Sequence, residues 1–190
     1  HIAHASRKDL RDAVEAARAA QPKWAGATAY NRGQVLYRLA EMMEGKRDEL
    51  ARALSRGTPT KQAHAEVATA IDRMVHFAGW CDKYAQVLGC NNPVSGPFYN
   101  FTSPEPTGVI CVVCPDACPL LAMVSLRAPV LAGGNAAVVL ASDANPLPSV
   151  ILSEACATSD VPAGVVNILT GQRAELLSFV SGHRDIDGVH

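Results

Sequence analysis

The sequence predicts an α/β protein in which N-terminal helices lead into a Rossmann-like parallel sheet with flanking helices. Three observations carry this. Apolar residues recur at helical spacing through roughly the first ninety positions. From residue 108 onward, β-branched runs alternate with apolar helical segments. The connections in that second part are short, as right-handed βαβ crossovers in one sheet allow. The expected organisation is a single partial unit, 1–190, with a helical layer over 1–90 and a βαβ sheet over 108–190.

The first helix is signalled by "SRKDLRDAVEAARAAQPKW". Ser6 is a natural N-cap, and Asp9 three residues on completes a near capping box. Leu10, Val14 and Ala17 share a face, and Pro22 is expected to stop the helix. The next segment has apolar residues at Val35, Leu36, Leu39, Met42, Met43, Leu50 and Leu54. Gly45 is expected to divide it, and Gly57 with Pro59 to end it. "KQAHAEVATAIDRMVHFAGWCDKYAQVLG" predicts a third long helix. Its buried stripe is expected to be Val67, Ile71, Met74, Val75, Ala78 and Cys81. The Pro-, Gly- and Asn-rich stretch that follows predicts a loop, with one short strand around Phe98–Phe101.

"GVICVVC" is then a continuous β-branched run, the mark of a strand buried on both faces. Pro119–Leu131 predicts a helix, "NAAVVLA" a second strand and Pro146–Ser159 a helix. "GVVNILTG" predicts a third strand, Arg173–Ser181 a helix and "IDGVH" the start of a fourth strand. A sheet cut there leaves an edge that needs a cover. The chain is therefore expected to pair with itself or with another domain.

Composition excludes several function classes. Of 190 residues, 48% are hydrophobic and 18% charged, enough apolar matter for a large core and too little charge for disorder. Seventeen basic residues against 18 acidic ones leave no electrostatic footprint for nucleic acid. No apolar run reaches the length of a membrane span. The N-terminal "HIAHASRKDLRD" is too polar for a signal peptide. A cytoplasmic protein with reduced thiols is expected.

"CVVCPDACP" places Cys111, Cys114 and Cys118 in a spacing that resembles a metal ligand set. Strand geometry argues against it. Residues three apart on a strand point to opposite faces, whereas metal ligands must converge. The cysteines are read as small core residues, and no metal is expected. Cys118, next to a predicted helix start, is the thiol to test for reactivity. His64 and His76, twelve apart on one helix, form no ligand pair, and His183 and His190 carry no assigned role. Lys61, Lys83 and Arg73 are read as exposed helix charges. Asp116 is expected to cap the helix opening at Pro119.

The order "PTGVICVVCPDACPLL", "LAGGNAAVVLASDANPL", "VPAGVVNILTG" and "HRDIDGVH" resembles the aldehyde dehydrogenase superfamily. "AVEAARAAQPKW" near the start matches it too. The resemblance covers nearly the whole chain. It implies a part of that family's cofactor-binding domain, with NAD as the cofactor. The departures are informative. Ala117 stands where the family keeps the asparagine that donates to the substrate oxyanion, and a methyl group cannot donate. Leu140 stands where the family has a ribose-binding lysine. Gly171-Gln172-Arg173 lacks the second glycine of the pyrophosphate turn. Ser142 and Asp143 keep the family's character as vestigial cofactor-binding residues. The segments that carry the family's nucleophilic cysteine and general base have no match here. "VVCPDACPLLAMVSL" is closest to the degenerate second domain of family 16 aldehyde dehydrogenases. That resemblance implies a non-catalytic domain with a structural or assembly role, cofactor binding weak or lost, and another aldehyde dehydrogenase domain as a partner. The alternative is a fragment of an active NAD(P)-dependent enzyme whose catalytic half lies outside these residues. On either reading the 190 residues alone are expected to be inactive.

Overall fold

The computed structural model describes residues 2–190. Four parallel strands form one sheet: β1 (Val109–Val113), β2 (Ala136–Leu140), β3 (Val166–Leu169) and β4 (Gly188–Val189), in the order β3-β2-β1-β4. Val109 pairs with Ala136, Ala137 with Val166, and Ile110 with Gly188. Helix α1 (Arg7–Ala25) and α8 (Arg173–Ser181) pack on one face of the sheet. On the other lie α6 (Pro119–Ala132) and α7 (Leu147–Ala157), covered in turn by α2 (Ala29–Gly45), α3 (Arg47–Leu54) and α4 (Thr60–Trp80). A short α5 (Tyr84–Leu88) follows α4.

Alternation along the strands builds both cores. On β2, Ala136, Val138 and Leu140 face α1, while Ala137 and Val139 face the larger helical layer. All five are buried, as a central parallel strand demands. On β1, Cys111 belongs to the α1 core and Cys114, just beyond the strand, to the other. The two thiols therefore sit on opposite sides of the sheet, as their odd spacing predicts. Fully buried Leu36, Leu39, Met43, Leu50, Leu54 and Met74 form the bulk of the outer core. Each contributes about 1.5–3 kcal/mol from burial.

Several expectations change in the folded chain. Pro22 does not end α1, which continues to Ala25. Trp24 is buried in the last turn, and its indole N–H donates to the Leu131 carbonyl at 3.0 Å. That anchorage offsets the hydrogen bond the proline cannot make. The long helix predicted from Lys61 ends at Trp80, and a turn separates it from α5. Beyond Cys81 the segment has no buried stripe, with Val87 and Leu88 both exposed, so packing does not sustain one continuous helix. Val75 is 41% exposed, one position off the stripe of Val67, Ala70, Ile71, Met74 and Ala78. The short strand expected around Phe98–Phe101 is a single antiparallel bridge, Asn91 with Phe101. The division at Gly45 is present, with α2 and α3 meeting at Lys46. Ser6 and Asp9 cap α1, the Asp9 carboxylate accepting from the Ser6 amide and hydroxyl at 2.7 Å each.

Candidate functional site

Because the strands are parallel, their C-terminal ends share one edge of the sheet. The chain runs from β1 to β2 to β3 in one direction, then returns to place β4 on the far side of β1. Such a reversal opens the crevice in which α/β sheets bind ligands. The loops reaching that edge are 114–118, 141–146 and 170–172.

Asp116, from the first loop, is the hub. One carboxylate oxygen accepts from the Ser142 hydroxyl at 2.8 Å, the Asp143 amide at 3.0 Å and the Ala144 amide at 3.3 Å. The other accepts from the Arg173 guanidinium at 2.6 Å. Arg173 also donates to the Cys114 carbonyl and lies 3.1 Å from the Asp143 carboxylate. The Ser142 hydroxyl, the Ala144 amide and the guanidinium together hold the Asp116 carboxyl below the usual carboxylate range. Asp116 therefore joins the ends of β1 and β2 to the start of α8. It does not cap α6.

The α6 cap comes from elsewhere. Glu66, on the buried face of α4, accepts from the Leu120 and Leu121 amides at 2.9 and 3.1 Å. A carboxylate from a neighbouring helix satisfies the orphan donors and complements the helix dipole. The available signal was a glutamate inside the apolar stripe of α4, between Ala63 and Val67. Cys118, at the start of α6, has φ +49° and makes no capping hydrogen bond.

The predicted site residues divide clearly. Ser142 and Asp143 lie together at the end of β2, Ser142 buried and Asp143 exposed. Ala117 is exposed beside Asp116 and offers no donor from its side chain. Leu140 is buried in the α1 core. His64, His76 and His190 are exposed and His183 is half-buried, apart from one another along the chain. Lys61, Lys83 and Arg73 are exposed, as expected. Among the described residues no three His, Cys, Asp or Glu side chains group as metal ligands. Burial pushes the Cys111 thiol up to about 12 and the Cys114 thiol up to about 11. Among the described residues no helix is long and apolar enough to cross a membrane.

Serine, aspartate and arginine are the side chains that recognise ribose hydroxyls and phosphates. Here they satisfy one another. The Arg173 amide, at the start of α8, donates to the Asp143 carboxylate at 3.1 Å. A negative side chain thus sits at this helix N-terminus, an end that favours anions.

The aldehyde dehydrogenase family model matches residues 1–190. An omega-crystallin of Enteroctopus dofleini is 33% identical over 99% of this chain and 38% of its own length. The mitochondrial aldehyde dehydrogenase of Sus scrofa is 33% identical over 100% of this chain and 37% of its own. A solved NAD+ complex of aldehyde dehydrogenase from Bacillus cereus superposes with a TM-score of 0.91, at 31% identity, over 98% of this chain and 38% of that one. The chain thus spans little more than a third of the proteins it matches.

Proposed function

The chain belongs to the aldehyde dehydrogenase family, and from that membership we propose that it is the leading part of the cofactor-binding domain of an NAD(P)-dependent aldehyde dehydrogenase. The catalytic half would lie in the portion of the relatives that these residues do not span. The observation that carries the reading is the parallel sheet with its reversal beside β1, in a chain that matches its relatives from end to end but covers only 37–38% of their length. These residues would supply the strands, the helical cover and the Ser142–Asp143 edge, and no chemistry of their own. The test is turnover of a small aldehyde with NAD or NADP by the full polypeptide. Turnover that is lost on replacing a cysteine outside residues 1–190 supports this reading.

A second reading has a specific observation behind it. Asp116, Asp143 and Arg173 close the strand-end edge on themselves, and Ala117 brings no oxyanion donor. A non-catalytic domain of the kind found second in family 16 aldehyde dehydrogenases would look this way. It would bind NAD weakly or not at all and act in assembly. Val189, 59% exposed on the outer strand β4, supports association through that edge with a second copy or another aldehyde dehydrogenase domain. Tight NAD binding in a calorimetric titration would sink this second reading. A clean monomer by sedimentation at high concentration would count against the assembly role.

A further inference from the structure

Arg127 sits in the middle of α6 with none of its surface exposed. A buried guanidinium is costly unless its N–H groups are matched by acceptors, preferably anionic ones. Among the described residues no carboxylate pairs with it. Its Nη1 donates to the Cys156 sulfur of α7 at 3.4 Å, while its Nε and Nη2 have no partner. The guanidinium also acts on Cys114, drawing that thiol down against the larger upward push of burial.

Cys156 differs from the other buried cysteines in where it sits. It is 7% exposed and lines a pocket of about 160 Å³ with Val150, Ser153, Val166, Ile168 and Thr170. That pocket lies between α7 and the outer strand β3. Cys156 thus borders a small pocket, and its sulfur already accepts a hydrogen bond from a buried cation. Cationic neighbours are what make a thiol a better nucleophile.

We propose that Cys156 is an oxidation site for hydroperoxides, with Arg127 as the group that positions and stabilises the oxidised sulfur. The sulfur lone pair attacks one peroxide oxygen, so an S–O bond forms and the O–O bond breaks. Sulfur is oxidised by two electrons, peroxide is reduced, and the departing hydroxide takes the thiol proton to leave as water. The sulfenic acid oxygen then supplies an acceptor to a guanidinium that has two unsatisfied donors. The inference is independent of whether the protein oxidises aldehydes.

The test treats the full polypeptide with hydrogen peroxide and a cyclic 1,3-dione that traps sulfenic acids, followed by peptide mapping of the six cysteines of residues 1–190. Cys156 is expected to be trapped faster than the exposed Cys90 and Cys118. Arg127→Leu is expected to slow trapping at Cys156 roughly tenfold and to leave Cys90 and Cys118 unchanged. Leucine is shorter than arginine but removes the buried charge together with its unpaired donors, so the variant is expected to fold. Arg127→Lys, which keeps a cation, is expected to restore part of the rate, and circular dichroism checks both variants. Trapping at Cys156 no faster than at Cys90 would overturn the proposal. So would a rate that Arg127→Leu does not change in a folded protein.

Discussion

The Arg173 guanidinium lies 2.6 Å from an Asp116 carboxylate oxygen and binds the loop after β1 to the first residue of α8. Its side chain is only 17% exposed, and its other partners are the Cys114 carbonyl and Asp143. Three connections on a mostly buried arginine are worth more than an isolated surface pair. Arg173→Ala is expected to cost about 1–2 kcal/mol, read as a lower urea midpoint at unchanged slope. An unchanged midpoint would show that the strand ends hold without the network.

Acid should weaken the same network. Asp116 has a lowered pKa in the folded chain, owed first to the Ser142 hydroxyl and then to the Ala144 amide and Arg173. Its stabilising contribution is therefore fully present above the ordinary carboxylate pKa. It is lost as pH falls through the folded value. The stability gap between the wild type and Asp116→Asn is expected to be constant near neutrality and to narrow below about pH 4. Parallel stability curves down to acid unfolding would contradict this.

Glu66 is expected to matter more than its place on a long helix suggests. Glu66→Ala removes the acceptor for two amides at the start of α6 and leaves one buried and one part-buried without a partner. The expected loss is about 1–3 kcal/mol in chemical denaturation. Glu66→Gln keeps an acceptor without the charge and should lose about half as much. Equal losses in the two variants would mean that volume, not the cap, is what the site needs.

Gly108 precedes β1 with φ +136°, a conformation that disfavours any side chain. An added Cβ would collide with the Asp187 carboxylate, which accepts from the Val109 amide at 2.7 Å and pairs with Arg18 at 2.7 Å. Gly108→Ala is expected to destabilise by about 2 kcal/mol or more, seen as a lower Tm. A Tm within a degree or so of wild type would refute the strain argument.

Native thiol accessibility should separate the cysteines near β1. Cys111 and Cys114 are buried, with their pKa values pushed up, while Cys118 is exposed. Iodoacetamide at mildly alkaline pH is expected to label Cys118 and to spare Cys111 and Cys114 until the chain unfolds. Labelling of Cys111 in the folded protein would require the α1 side of the sheet to open.

Periodicity alone located the helices and strands of residues 108–190 to within a few positions. Burial on both faces writes β1 and β2 as apolar runs, and Cys111 and Cys114 could be assigned to opposite faces from their spacing. The strand-end site was only partly legible. Ser142 and Asp143 were found from their place in a family pattern. Their partners Asp116 and Arg173 lie 26 to 59 residues from the groups they bind. No local pattern encodes a contact at that separation. The expected role for Asp116 failed for the same reason: a nearby helix start was in view, and the competing donors of two later loops were not.

What the sequence determined by itself was the α/β class with its parallel sheet, and membership of a family. These rest on local periodicity and on motif order, both written in neighbouring residues. Only the tertiary structure decided that Glu66 caps α6, that Trp24 carries α1 past Pro22, and that Arg127 meets Cys156. Each joins groups more than twenty residues apart, and each is settled by which buried polar atom finds a partner once the chain has packed.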